Sequence, residues 1–217
     1  MAFVNPNKPS GLSPVRYLNG AKYDGKGQMY CVLAADTNAY YPGDLVTPSA
    51  SGGDSNGVPA VTLATAGNVA VGVIVAIGTL YGTGYLPPGG PYINALNLNV
   101  VSRPSGAQTS NYYALVSDDP NIIYEIQEGG SGTNLTTAAI NNNANILYAA
   151  PATGVNVSGT TLNNASVTTT STLNLKILRL VQRIDNHFLT SPATGGAAQK
   201  WEVIINSHVY RAGTTGI

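Results

Sequence analysis

Short runs of β-branched and aromatic residues, separated by Gly and Pro turn signals, recur along the chain. No stretch shows the long i, i+3, i+4, i+7 apolar pattern with capping residues that is typical of an amphipathic helix. Prolines remove backbone donors and disfavour helix, whereas short apolar runs between turn signals are typical of strands. The sequence therefore predicts an all-β fold, with small β-barrel or sandwich units, long loops and minimal helix.

Two strands are predicted at residues 112–116 and 122–126, joined by the turn sequence SDDPN, and a third at 173–181. Residues 69–77 show little alternation of apolar and polar positions, so this strand is expected to be buried on both faces. A turn is predicted at Tyr41-Pro42-Gly43-Asp44 and a Gly/Ser loop at residues 49–57. Further strands are predicted at residues 29–34, from Leu45, at 59–62 and at 202–209.

The spacing of these signals predicts an extended N-terminal arm at residues 1–28, where apolar residues are scattered between prolines and glycines. Such an arm is either a disordered terminus or a segment that orders on a neighbouring molecule, and we favour the second. Residues 29–80 are predicted to form a small β unit and residues 96–217 a second one. The Gly/Pro/Tyr-rich segment at 81–95 is a linker or contact loop, unless the two units pack as one domain.

Charged residues make up 9% of the chain, with ten Lys and Arg against ten Asp and Glu. Nucleic-acid binding depends on excess positive charge, so no nucleic-acid partner is expected. The longest apolar run, residues 69–80, is too short to span a bilayer, and no membrane partner is expected. A neutral surface rich in Asn, Thr, Ser and Tyr favours packing against other proteins, including copies of the same chain.

The residues that could carry chemistry are few and scattered. Cys31 lies in an apolar run and is interpreted as a buried hydrophobe rather than a nucleophile. His187 and His208 lack the spacing of a zinc site, and Asp118 and Asp119 are interpreted as turn formers. The sequence therefore predicts a protein that is not an enzyme, with no catalytic, cofactor-binding or metal-binding residues.

Partner contacts are instead expected from the N-terminal arm and from tyrosines in Gly/Pro-rich turns. Tyrosine combines a large contact area with a hydrogen-bonding tip and is enriched at interfaces, and the chain has thirteen of them. The predicted contact residues are Phe3, Leu12, Val15, Arg16, Tyr17, Leu18, Tyr40, Tyr41, Tyr81 and Tyr85.

Four segments resemble a known family. Residues 11–20 (GLSPVRYLNG) resemble an N-terminal signature of structural proteins of tailed bacteriophages. Residues 119–128 (DPNIIYEIQE), 175–186 (LKILRLVQRIDN) and 200–210 (KWEVIINSHVY) resemble the same family of capsid decoration or cement proteins. The resemblance implies a protein without enzymatic activity or cofactor, made in the host cytoplasm and bound to the outer capsid surface of the virion.

The partners implied by this resemblance are the major capsid protein and further copies of the chain, for which a trimer suits the threefold points of an icosahedral shell. Two alternatives stay open. One is a head-fibre or tail receptor-binding module that recognises a host surface glycan, which the Tyr- and Asn-rich loops would suit. The other is a shell-forming capsid subunit, although the chain is short for that role and lacks a predicted long helix.

Overall fold

The structure, a computed structural model, describes residues 5–79, 100–188 and 198–211 and is almost entirely β. Within these residues, the helical elements are two short 3₁₀ turns, Thr137–Ala139 and Asn164–Ser166. No helix in the described part of the chain is long and apolar enough to cross a membrane. The strands form a closed barrel and a second sheet, so the predicted all-β fold class is confirmed.

The barrel has five strands in the order β2-β4-β3-β5-β6. Strand β6 pairs antiparallel with both β5 and β2, and a parallel bridge between Cys31 and Ala60 closes the barrel between β2 and β4. Side chains of Val32, Val46 and Ile74 fill the interior. The strands are β2 (Gln28–Val32), β3 (Leu45–Gly53), β4 (Pro59–Leu63), β5 (Gly72–Gly78) and β6 (Tyr112–Ser117).

The second sheet has the order β8-β11-β12-β7-β10-β9, and β1 also pairs with β7. Alternation along β7 directs Ile122, Tyr124 and Ile126 into the core. The strands are β1 (Ser13–Tyr17), β7 (Ile122–Gly129), β8 (Asn143–Ala144), β9 (Ile146–Leu147), β10 (Thr161–Asn163), β11 (Leu175–Leu180) and β12 (Lys200–Ile205).

One hydrophobic cluster, separate from the barrel interior, joins the barrel to the sheet. Leu45 and Val73 on the outside of the barrel join Trp201 and Leu12 in the same buried cluster. Strand β5 therefore contributes Val73 to this cluster and the adjacent Ile74 to the barrel interior. The prediction of burial on both faces is thereby confirmed for residues 70–74 and Ile77, whereas Val69, Val75 and Ala76 are half-buried.

The prediction of an extended N-terminal arm at residues 1–28 is wrong for the central part of that segment. Residues 13–17 form β1, which pairs antiparallel with β7 of the same chain, and Leu12 is 1% exposed. The signals that indicated an extended arm indicate an extended strand equally well, because sequence alone does not give the pairing partner. The start of the loop predicted at residues 49–57 is also placed too early, because β3 extends to Gly53.

The predicted boundary at residues 81–95 does not separate two sheets. Strand β6, which was placed in the second unit, completes the barrel begun by residues 28–78. Antiparallel pairing of β6 with both β2 and β5 satisfies backbone groups that would otherwise be left at two open edges. Alternating apolar and polar residues also predict a strand around residues 96–101. Residues 96–99 lie outside the described part, and Val100 and Val101 lie outside any strand.

Candidate docking surface

The outer face of the second sheet carries an ion-pair network. The Glu202 carboxylate accepts hydrogen bonds from Arg16 of β1 and from Arg179 of β11. Glu125, its register partner on β7, accepts two hydrogen bonds of 2.8 and 2.9 Å from Arg183. Each of these neighbouring carboxylates is therefore balanced by arginine from its own chain. Partly exposed pairs of this kind contribute little stability individually, about 0–1 kcal/mol.

The structure places the predicted partner-contact residues in different environments. Leu12 and Tyr40 are 1% and 0% exposed, so their prediction as contacts is wrong. The Tyr40 hydroxyl donates to Asp36, and its ring packs against the guanidinium of Arg103. Leu18, in contrast, is 50% exposed.

The other predicted contacts fall into two groups. Val15, Arg16, Tyr17 and Tyr41 are half-buried. Phe3, Tyr81 and Tyr85 lie outside the described residues.

The candidate chemical groups serve structural roles. The Asp118 carboxylate accepts a 2.9 Å hydrogen bond from the Tyr30 hydroxyl, and Asp119 accepts one of 2.8 Å from the backbone N–H of Asn121. His208 is fully buried, and its Nδ1 accepts a hydrogen bond from the backbone N–H of Tyr210. Burial lowers the pKa of His208 to about 4, so its imidazole is neutral at physiological pH. Across residues 5–79, 100–188 and 198–211, no three His, Cys, Asp or Glu side chains group as metal ligands.

Cys31 is expected to be unreactive in the folded protein. The side chain is fully buried on β2, and burial, together with the nearby Asp54 carboxylate, raises the pKa of the thiol to about 12. The thiolate is the reactive form, so we expect Ellman's reagent to label Cys31 only after unfolding in urea. Stoichiometric labelling in native buffer at neutral pH, at a rate close to that in urea, would contradict this burial.

Three adjoining grooves form an apolar strip, which we define by Pro42, Val75, Val101, Pro151, Val155 and Val157. The largest groove, of about 700 Å³, lies between residues 7–10 and 149–159. A second groove of about 310 Å³ shares Ser10 and Val157 with it, and a third of about 290 Å³ shares Pro42 and Val75 with the second. The strip therefore runs from the N-terminal segment onto the barrel.

The apolar strip is exposed and nearly free of charge. Val101, Val155 and Val157 are 48%, 41% and 37% exposed. Among the residues that line the three grooves, Lys8 is the single charged one. Exposed apolar surface of this kind, depleted of charge, is typical of the centre of a protein–protein interface.

No sequence pattern indicates this strip, because its valines resemble core residues and come from distant segments. The segments that form it are held together by main-chain hydrogen bonds, among them one of 2.9 Å from Ser158 N–H to the Pro42 carbonyl. No protein-family model, curated protein or solved structure matches this chain.

Proposed function

We propose that this chain is a non-enzymatic virion structural protein, a capsid decoration or cement protein that docks on the outer surface of the major capsid shell. The observation that carries the proposal is the exposed, nearly uncharged apolar strip. The resemblance of residues 11–20, 119–128, 175–186 and 200–210 to decoration proteins supplies the identity of the partner. The same resemblance underlies the proposal that copies of the chain associate, with a trimer favoured.

The chemistry of the strip favours a protein surface as its occupant. Association with a protein removes apolar surface from water, which stabilises the complex by about 25 cal/mol per Å² buried. A specific interface buries about 1,600 Å² in total, and the strip would form its apolar centre. With Lys8 as the single charged lining residue, the surface offers little steering for a charged small molecule.

The geometry of the strip also favours rigid docking. Val75 belongs to β5 of the barrel and Pro42 to the turn before β3, while Val157 is anchored beside Ser158, whose N–H donates to the Pro42 carbonyl. A surface that is ordered before binding loses less conformational entropy on association than a flexible one. An energetically small contact per copy is sufficient when many copies reinforce one shell.

Charge within the strip is expected to abolish docking. Val157→Asp should weaken binding to purified capsid shells that lack this protein by at least about tenfold, because it buries an unpaired carboxylate at the interface. The matched control is Ile184→Asp, which introduces the same charge at a side chain that is 93% exposed and lines none of the three grooves. Binding is measured by co-sedimentation with shells and by cryo-EM of decorated particles.

The possible results for Val157→Asp and Ile184→Asp lead to different conclusions about the docking surface. Loss of binding for Val157→Asp with retention for Ile184→Asp supports the strip as the docking surface. The reverse pattern places the interface elsewhere on the chain. No binding of the unsubstituted protein to shells, or added density at another part of the virion, refutes the decoration role, and binding on a glycan array would then favour the receptor-binding alternative.

A further inference from the structure

A buried carboxylate lies beneath the apolar strip, at the point where three segments of the chain meet. Asp44 is 1% exposed and follows the turn that leads into β3. Its Oδ2 accepts a 2.8 Å hydrogen bond from the backbone N–H of Tyr41, whereas its Oδ1 has no hydrogen-bond partner. A buried ionised oxygen without a partner destabilises a fold, so this position calls for a physical explanation.

A second unsatisfied oxygen belongs to the same junction. Thr160 is 1% exposed, and its Oγ1 also lacks a hydrogen-bond partner. The hydroxyls of Ser158 and Thr160 lie close enough to lower the pKa of Asp44 somewhat, although neither forms a well-aligned bond to Oδ1. A threonine hydroxyl can donate to an ionised carboxylate as well as accept from a protonated one, so these two oxygens are left unpaired by their geometry in either protonation state.

No Lys, Arg or His side chain compensates an ionised Asp44. Among the described titratable groups, the phenol of Tyr148, beyond β9, interacts with it. All ten Lys and Arg side chains lie in the described residues, and none of them, nor either histidine, is among the groups that shift the pKa of Asp44. Burial therefore dominates and raises the pKa of Asp44 to about 6.

We propose that Asp44 is a proton-linked clamp. In its neutral form the buried carboxyl carries no charge, and residues 158–160 stay closed against the barrel. In its ionised form the closed junction buries a negative charge whose Oδ1 has no hydrogen-bond partner, so the junction opens more readily. The clamp is a property of the folded chain and does not depend on the proposed docking to a capsid.

The direction of the pH dependence follows from the raised pKa. In the open junction Asp44 regains its ordinary pKa of about 3.9. The stabilisation by the clamp is therefore fully present below about pH 4 and is lost as the pH rises through about 6. The difference of about two pH units corresponds to a change of up to about 100-fold in the local opening equilibrium.

The segments whose opening depends on the protonation of Asp44 are those that line the apolar strip. Leu12 N–H donates to the Gly43 carbonyl at 2.9 Å, and Ser158 N–H donates to the Pro42 carbonyl at 2.9 Å. Both acceptors directly precede Asp44 in sequence. Exchange of these two amide hydrogens therefore reports on the clamp.

The test is hydrogen exchange of the Leu12 and Ser158 amides at about pH 5 and about pH 7.5, corrected for intrinsic rates. In the unsubstituted protein, a pKa of about 6 in the closed junction and of about 3.9 in the open one predicts that protection falls by about tenfold at the higher pH. Asp44→Asn has an uncharged side chain at both pH values and should therefore be protected equally at both. The control Asp54→Asn, whose carboxylate accepts bonds from Asn56, Val58 and Tyr113, should behave as the unsubstituted protein does.

Equal protection of the unsubstituted protein at both pH values would overturn the proposal, as would a pH response retained in Asp44→Asn. A second measurement covers the case in which Asp44→Asn does not fold. Carbon-13 NMR of the carboxyl groups in the unsubstituted protein should show Asp44 titrating near pH 6. A midpoint at the ordinary value of about 3.9 would contradict the clamp.

Discussion

Replacing Arg103 with methionine is expected to lower the free energy of unfolding by about 3–5 kcal/mol. The guanidinium is 0% exposed and donates hydrogen bonds to the backbone carbonyls of Asn38 and Asp36. Its carbon centre also lies 5.6 Å from the ring centroid of Tyr40 and 5.7 Å from that of Tyr112. Methionine fills part of the volume but leaves the carbonyls without donors, and that loss dominates.

The charge-preserving variant Arg103→Lys separates the contribution of the positive charge from that of the hydrogen bonds made by the planar guanidinium. Lysine keeps the positive charge, but its ammonium group cannot reach carbonyls on several sides as the planar guanidinium does. We expect Arg103→Lys to lose about 2–3 kcal/mol, between the unsubstituted protein and Arg103→Met. Urea unfolding followed by tryptophan fluorescence gives the free energy of unfolding of all three proteins. A loss below about 1 kcal/mol for Arg103→Met would show that these bonds contribute little net stability.

Arg103 also illustrates what the sequence could not predict. It stands in the segment Val101-Ser102-Arg103-Pro104, where nothing distinguishes a buried arginine from an exposed one. Its burial follows from the return of the chain to the barrel at the Tyr40–Arg103 bridge. For the same reason Tyr40, in a sequence context typical of an exposed turn, was predicted as a partner contact and proved to be a core residue.

Local signals were sufficient for several elements. The predicted strands at residues 112–116 and 122–126 correspond to β6 and β7, and the intervening turn is stabilised by the Asp119 carboxylate. The predicted turn at residues 41–44 is confirmed by a hydrogen bond from Asp44 N–H to the Tyr41 carbonyl and by the positive φ of 94° at Gly43. These features depend on residues close in sequence, where side-chain chemistry and backbone preferences act directly.

Pairings between distant segments were not predictable in this way. Strand β1 pairs with β7, and the apolar strip joins Pro42, Val101 and Val157. Each of these contacts depends on loop closure and on the packing of the whole chain rather than on a local pattern. The candidate site was missed for this reason, since it exists only after the barrel and the sheet have come together.

Replacing Gly43 with alanine is expected to lower the free energy of unfolding by about 2–5 kcal/mol and to loosen the N-terminal segment. A Cβ atom at this position would lie 2.3 Å from the backbone oxygen of Ser10. The approach is reciprocal, because a Cβ atom on Gly11 would lie 2.3 Å from the Gly43 oxygen. Both contacts are with backbone, which cannot rotate away, so the two segments have to separate.

Gly57→Ala is the matched control for this prediction. Gly57 has a similar positive φ of 81°, but a Cβ atom there would meet nothing within 4 Å. Its replacement should therefore cost only the backbone strain, about 1–2 kcal/mol. Urea unfolding gives the stability of both variants, and hydrogen exchange at Leu12 N–H reports whether residues 10–12 stay on the barrel. If Gly43→Ala loses no more stability than Gly57→Ala and Leu12 stays protected, residues 10–12 are not held closely against this turn, and the segment is free to act as the arm that the sequence predicted.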